Sequence, residues 1–195
     1  MNKLQGFYEL KKLGIPYVPW KKFDEKTDLD PSLLWTIRTA KESGNDIGLP
    51  RAVGVNASEA KEKAIRYLCN IKNSGIVIYY PYFLAIKSGI IDINSKRIVI
   101  EAVKNDLWNL VNHGKRDITI IVSSADIEYK GQPDFLGKTE LDELLSCAKI
   151  VKNKLRDLVN DGKSILLEWS FAQDSDALGK PKNKKYLVFY ECRAI

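Results

Sequence analysis

Residues 90–102 read IIDINSKRIVIEA, with apolar and polar side chains alternating on both sides of Asn94-Ser95. A period of two interrupted by a short polar turn marks an antiparallel hairpin. Further strands are predicted at 33–39, 76–80, 118–122, 165–169 and 186–191, all short and rich in β-branched or aromatic residues. Helical spacing runs over 4–13, where Gly14 and then Pro16 end it. Asn56 with Glu59 three positions on resembles a capping box that opens a helix to about Cys69. From Thr139, apolar residues recur with a period of 3.6 until Gly162 closes the helix. Residues 21–31, 41–52 and 172–185 are polar and read as loops. Helices and strands are mixed and the second half is built of hairpins, which argues for α+β with largely antiparallel sheet and against a doubly wound parallel fold. The KNSG turn before residue 76 is the expected boundary between two lobes, 1–75 and 76–195.

The chain has 195 residues, 45% of them hydrophobic, enough for one compact domain or two tightly joined lobes. Three cysteines without C-x-x-C spacing, and a single histidine, suit a reducing compartment and argue against Cys/His zinc chemistry. The start of the sequence lacks the apolar stretch of a secretory signal and no apolar run approaches bilayer length, so the expected location is the cytoplasm, with no membrane partner. The net charge of +6 suits a polyanion, either a nucleotide or a nucleic acid, and equally describes a solvated lysine-rich surface. Neither a G-x-G-x-x-G nor a Walker A sequence occurs, so a nucleotide would need another architecture to hold it.

The chemistry concentrates near the C-terminus. If the last two strands pair so that Glu168 lies opposite Glu191, two carboxylates repel across the ladder, and Arg193 shares a face with Glu191. A divalent cation would remove that repulsion, since Mg²⁺ commonly takes one or two carboxylates together with substrate phosphates. Arg193 could hold a phosphate in its guanidinium fork. Spacing alone also allows both carboxylates to face water. Arg38 lies inside an apolar strand, where an arginine without a partner is costly.

These segments resemble the ATP-grasp nucleotide-binding domain of phosphoenolpyruvate synthase and pyruvate phosphate dikinase. The family ends on strands of the type D-I-E-W-A and L-Y-I-L-Q-A-R-P; here LLEWSFAQD is followed by KKYLVFYECRAI. The resemblance implies that Glu168 is a metal ligand and Arg193 the catalytic arginine, and Glu191 stands where the family usually has glutamine. The opening MNKLQGFYELKKLGIPYVP is similar to the family's G-G-K, helix, A-G-I-P-V-P, with Lys3 at the position of a phosphate-binding lysine but without the glycines before it. WTIRTAKES looks like A-V-R-S-S-A, which makes Arg38 a phosphate-binding and catalytic arginine. IVIYYPYFLAIKSGIIDIN resembles the family's linker and hairpin, so that Tyr80, Pro81, Tyr82 and Phe83 would line an adenine pocket. RIVIEAVKNDLWNL resembles I-E-A-V-x-G-L-G-E, with Glu101 matching the family glutamate and Asn105-Asp106-Leu107 replacing Gly-Leu-Gly.

The resemblance implies ATP and Mg²⁺ as cofactors and an Mg-dependent phosphotransferase or ligase-type reaction on an unidentified acceptor, which a separate protein could carry. The phosphohistidine and pyruvate-binding domains have no counterpart here. Two alternatives stand beside it: a nucleotide-binding regulatory subunit that has lost catalysis, and a basic nucleic-acid-binding protein on a related fold.

Overall fold

A computed structural model describes residues 1–43, 48–71 and 74–195. Helix α1 (Lys3–Leu13) begins at a capping box: the Asn2 side chain accepts from the Gln5 amide at 2.9 Å, and the Gln5 side chain accepts from the Asn2 amide at 3.0 Å. Gly14, at φ 69°, ends it in the left-handed region that glycine tolerates.

The next elements form a four-stranded antiparallel sheet: β1 (Lys21–Lys22), β2 (Trp35–Lys41), β3 (Arg51–Val55) and β4 (Gly75–Pro81), in the order β1-β4-β2-β3. Helix α2 (Ala57–Ile71) covers one face, packing Ala60, Ala64, Tyr67 and Ile71 against Trp35, Ile37 and Val77. The predicted Asn56 cap is present, its side chain accepting from the Glu59 amide at 3.0 Å.

A six-stranded antiparallel sheet follows: β5 (Phe83–Ile93), β6 (Arg97–Lys104), β7 (Ile118–Ser123), β8 (Ile127–Gly131), β9 (Ile165–Ser175) and β10 (Pro181–Ala194), in the order β10-β9-β5-β6-β7-β8. The hairpin at Asn94 joins β5 to β6 with Ile93 opposite Ile98. Helices α4 (Lys138–Lys154) and α5 (Arg156–Asn160) lie against one face, and their Leu144, Ala148, Val151 and Val159 meet Ile91, Ile100, Ile120, Leu167 and Trp169 in the largest core. A short helix, α3 (Trp108–His113), sits in the β6–β7 connection. The architecture is α+β, two antiparallel sheets flanked by helices, as the hairpin pattern predicts.

Several local expectations change. The loop read at 172–185 is largely strand: β9 runs to Ser175, β10 starts at Pro181, and Asp176 closes the tip by accepting from the amides of Leu178 and Lys180. Residues 181–185 are exposed, so no apolar alternation marks them. Strand β8 is exposed along its whole length. Of the loop read at 41–52, Arg51 and Ala52 open β3 and residues 44–47 lie outside the described residues. The helix read to Gly162 breaks at Leu155 into α4 and α5. The boundary read after residue 75 falls just inside β4, after its first residue, and β4 pairs with β1 and β2; the chain leaves the first sheet for the second at Tyr82. Residues 72–73 of the KNSG segment lie outside the described residues.

Helix α1 joins the two sheets. The Asn2 side-chain Nδ2 donates to the carbonyls of Lys41 and Glu42, at the end of β2, and the terminal ammonium donates to the Ala194 carbonyl at the end of β10. Gly6 lies so close to β10 that a Cβ there would stand 2.0 Å from the Cys192 carbonyl oxygen. Alanine raises intrinsic helix propensity by about 1 kcal/mol. The backbone overlap outweighs that gain, so Gly6→Ala is expected to lower the unfolding free energy by roughly 1–3 kcal/mol. Equilibrium urea denaturation checks this; a variant as stable as the parent would mean that α1 can ride off β10 without loss.

Candidate functional site

Alternation along β9 sends Leu167, Trp169 and Phe171 into the core and leaves Glu168 and Ser170 on the opposite face. On β10, Leu187 and Phe189 are core residues, and unbroken alternation would then turn Glu191 inward. Instead the register slips between Phe189 and Glu191, with Tyr190 as the extra residue. The edge of β10 is pinned at this point: the Val18 amide donates to the Phe189 carbonyl and the Phe189 amide to the Pro16 carbonyl, each at 3.0 Å. After the bulge Glu191 lies opposite Glu168, Cys192 returns to the core, and Arg193 follows Glu191 on the cleft face.

Three cations converge on Glu191. Arg38 Nη2 lies 2.5 Å from Oε2, Lys3 Nζ lies 3.8 Å from the same oxygen, and Arg193 Nε and Nη2 each lie 2.6 Å from Oε1. Arg38 Nη1 also donates to the Tyr190 carbonyl at 3.2 Å. Arg38 and Glu191 are only 8% and 4% exposed. Lys3 reaches this cluster because it opens α1, whose cap is tied to β2. Burial works to raise the Glu191 carboxyl, but Arg38, Lys3 and Arg193 outweigh it and hold the group below the usual carboxylate range. Burial pulls the Lys3 ammonium down, against the opposing effect of Glu191.

Glu168 behaves in the opposite way. Burial, then the charge of Glu191, pushes its carboxyl up to about 7 against the pull of the cations. No described residue donates a hydrogen bond to it. Glu168 and Arg38 line a cleft between the two sheets, together with Tyr80, Tyr82, Phe83, Ser170 and Tyr190. Tyr80 is buried and its hydroxyl is pushed up, with the Arg38 guanidinium pulling the other way. The Ser170 and Ser88 hydroxyls lie 2.8 Å apart at the cleft floor.

Lys3, Glu191 and Arg193 adjoin the cleft wall through Arg38, and two expected residues belong neither to the wall nor to that cluster. Pro81 lines a second cavity, formed with Tyr17, Pro19 and Tyr186, because alternation on β4 sends it away from Tyr80 and Tyr82. Glu101 shares the acidic row across the sheet, with Ile90 between it and Glu168, but its carboxylate pairs with Arg116 at 3.0 Å and is not part of the cleft wall. The cleft also contains residues the sequence did not single out, notably Arg51 and Val53 on β3 and Trp108 and Val111 on α3. These belong to elements that sequence reading left as loop or unassigned. His113 lies outside this wall as well.

Two antiparallel sheets facing each other across a charged cleft, joined by a short aromatic linker, define the ATP-grasp class of fold, and this chain has that fold. Solved structures carry the likeness. N5-carboxyaminoimidazole synthetase from Staphylococcus aureus, complexed with ADP, superimposes with a TM-score of 0.57 at 15% identity, covering 98% of this chain and 43% of that one. D-alanine-D-alanine ligase from Helicobacter pylori gives 0.53 at 12% identity, covering 98% and 50%. The dinucleotide-forming acetyl-coenzyme A synthetase 1 of Ca. Korarchaeum cryptofilum, in complex with coenzyme A and Ca-AMPCP, gives 0.50 at 11% identity, covering 100% and 92%. The chain thus spans half or less of the first two proteins. No protein-family model and no curated protein matches it. At these identities the likeness is one of fold, shared with ATP-grasp proteins at large and not specific to the phosphoenolpyruvate synthase type.

Proposed function

We propose that the cleft binds a Mg²⁺-nucleotide, ATP in the first instance, and that the protein is an ATP-dependent phosphotransferase or ligase-type enzyme. The observation that carries this reading is the convergence of Lys3, Arg38 and Arg193 on Glu191, which lies directly opposite Glu168 beside an aromatic-lined cleft. Three cations held around one buried carboxylate are positioned to accept the oxygens of a polyphosphate. Glu168 and Glu191 suit a hard cation: they are oxygen donors, and a 2+ charge would relieve the burial cost and the Glu191 repulsion that together raise Glu168. Among the described residues no group of three or more His, Cys, Asp or Glu could close a protein cage around a metal. That fits Mg²⁺, which completes its shell with phosphate oxygens and water. When bound, the metal would supply charge neutralisation on the phosphates. The chain's own contribution is placement and fixed positive charge, the main requirements of phosphoryl transfer. The acceptor comes from outside the cleft wall, on a small molecule or a partner protein. The finer likeness to the phosphoenolpyruvate synthase domain rests on the ordered motifs from Lys3 to Arg193.

A second reading, a regulatory nucleotide binder without turnover, is favoured by Asn105-Asp106-Leu107 in place of the family's Gly-Leu-Gly. Asp106 is engaged in the turn that leads into α3, accepting from the Trp108 amide at 2.7 Å.

Thermal denaturation with millimolar Mg-ATP tests both. A site at about 100 times its Kd is stabilised by about 2.7 kcal/mol, or roughly 5–10 °C in Tm for a protein of this size. Glu168→Gln should erase the Mg²⁺-dependent part of that rise, and ATP hydrolysis or transfer separates the enzyme from the regulator. No rise with Mg-ATP would remove both readings.

A further inference from the structure

Five large apolar side chains among the described residues are at least half exposed: Val53, Trp108, Val111, Leu178 and Ile195. Three of them, Val53 at 50%, Trp108 at 52% and Val111 at 61%, line the same cleft as Arg38 and Glu168. They come from both halves of the molecule, Val53 from β3 and the other two from α3. The remaining tryptophans, Trp20, Trp35 and Trp169, are buried. The exposed indole is held in place. The Trp108 amide is tied to Asp106, the Asn105 amide just before donates to the Ile86 carbonyl on β5, and the Arg51 guanidinium lies over the ring at 4.9 Å. That contact reaches from β3 to α3 across the cleft mouth.

Building on the nucleotide reading, we propose that Trp108 is the stacking platform for the planar base of the nucleotide and that Val53 and Val111 cover the base edges. The argument is one of complementary surfaces within a single cleft. Its inner part carries Arg38 and Glu168, and through Arg38 it borders the cation cluster on Glu191, suited to phosphates. Its mouth carries apolar and aromatic surface that water covers poorly, and flat ring systems gain most from such a wall. Arg51 covers one side of the indole in this state; its guanidinium leaves the ring as the base arrives and stays within the cleft as a further cation. Asp106 and Tyr82 border the same space, and burial pushes the Tyr82 hydroxyl up, with the Asp106 carboxylate adding to the effect. Trp108 is therefore a specificity-determining residue: it distinguishes a nucleotide from a bare polyphosphate.

The test compares Mg-ATP with Mg-tripolyphosphate, which has the phosphates but no base, by calorimetric titration of the wild type, Trp108→Ala and Trp108→Phe. Base stacking on an aromatic side chain predicts that Trp108→Ala weakens ATP binding by roughly tenfold or more. Tripolyphosphate affinity should change by less than about twofold, because the inner cations are untouched. Trp108→Phe should keep most of the ATP affinity, and ATP should quench the wild-type tryptophan emission but not that of Trp108→Phe. Equal loss of both ligands in Trp108→Ala would show a structural role and overturn the proposal. So would unchanged ATP binding, or wild-type affinity for ATP no greater than for tripolyphosphate; in each of these cases the phosphate site itself stands. If neither ligand binds the wild type, the nucleotide reading fails and the proposal falls with it.

Discussion

Arg38→Met is expected to destabilise the fold by about 3 kcal/mol, read by equilibrium denaturation in urea. The mutation leaves Glu191 4% exposed with its closest partner on Oε2 removed. Lys3 at 3.8 Å is too distant to replace a guanidinium at 2.5 Å, and the Arg193 contacts satisfy only Oε1. Arg193 is also the most exposed of the three cations, so solvent screens part of its effect. Removing one partner of a buried pair costs more than removing both, because the remaining charge has lost its compensation. The double variant Arg38→Met/Glu191→Gln should therefore recover at least half of the loss. Strict additivity of the two single changes would show that the pair is not coupled in the folded protein, and the cation cluster would lose its anchor.

The second large effect is a pH dependence that runs against the usual direction for carboxylates. Glu168 titrates near 4.5 in an unfolded chain and near 7 in the folded one. Between those values the folded state binds more protons than the unfolded state, so stability falls as pH rises through this window and is level above it. Glu191 has the opposite sign: its folded carboxyl is held down, so its contribution is present above the unfolded value and lost as pH falls through the folded one. Comparing wild type with Glu168→Gln isolates the first group, since both proteins keep Glu191. In metal-free buffer Glu168→Gln should be the more stable at pH 8 by on the order of 2–3 kcal/mol, or roughly 5–10 °C in Tm, and the difference should vanish toward pH 4. A difference that grows on acidification instead would mean that Glu168 is stabilised as a carboxylate, and that the cations reach it as well as Glu191.

Much of this site was legible in one dimension because its physics is local. Leu167 and Trp169 flanking Glu168 placed that carboxylate on the face opposite the core. An arginine between Ile37 and Thr39 announced a partner, and the partner is Glu191. The Asn56 signal starts its helix and the Gly14 signal ends its own where expected, since caps depend on neighbours within a few residues. The cleft mouth was not legible. Nothing near Trp108 or Arg51 in sequence says that α3 and β3 will face each other, and an exposed tryptophan carries no periodic signal.

The α+β class and the antiparallel second half follow from residue order, because alternation and turn chemistry act over a few positions. The side to which Glu191 points does not. Counting by twos from Phe189 sends it into the core, and only the bulge at Tyr190, where Pro16 and Val18 hold the edge of β10, turns it toward Arg38. Lys3 likewise joins the cluster only because α1 is tied to the ends of β2 and β10. Those contacts link residues from 40 to 193 positions apart, and packing in three dimensions brings them together.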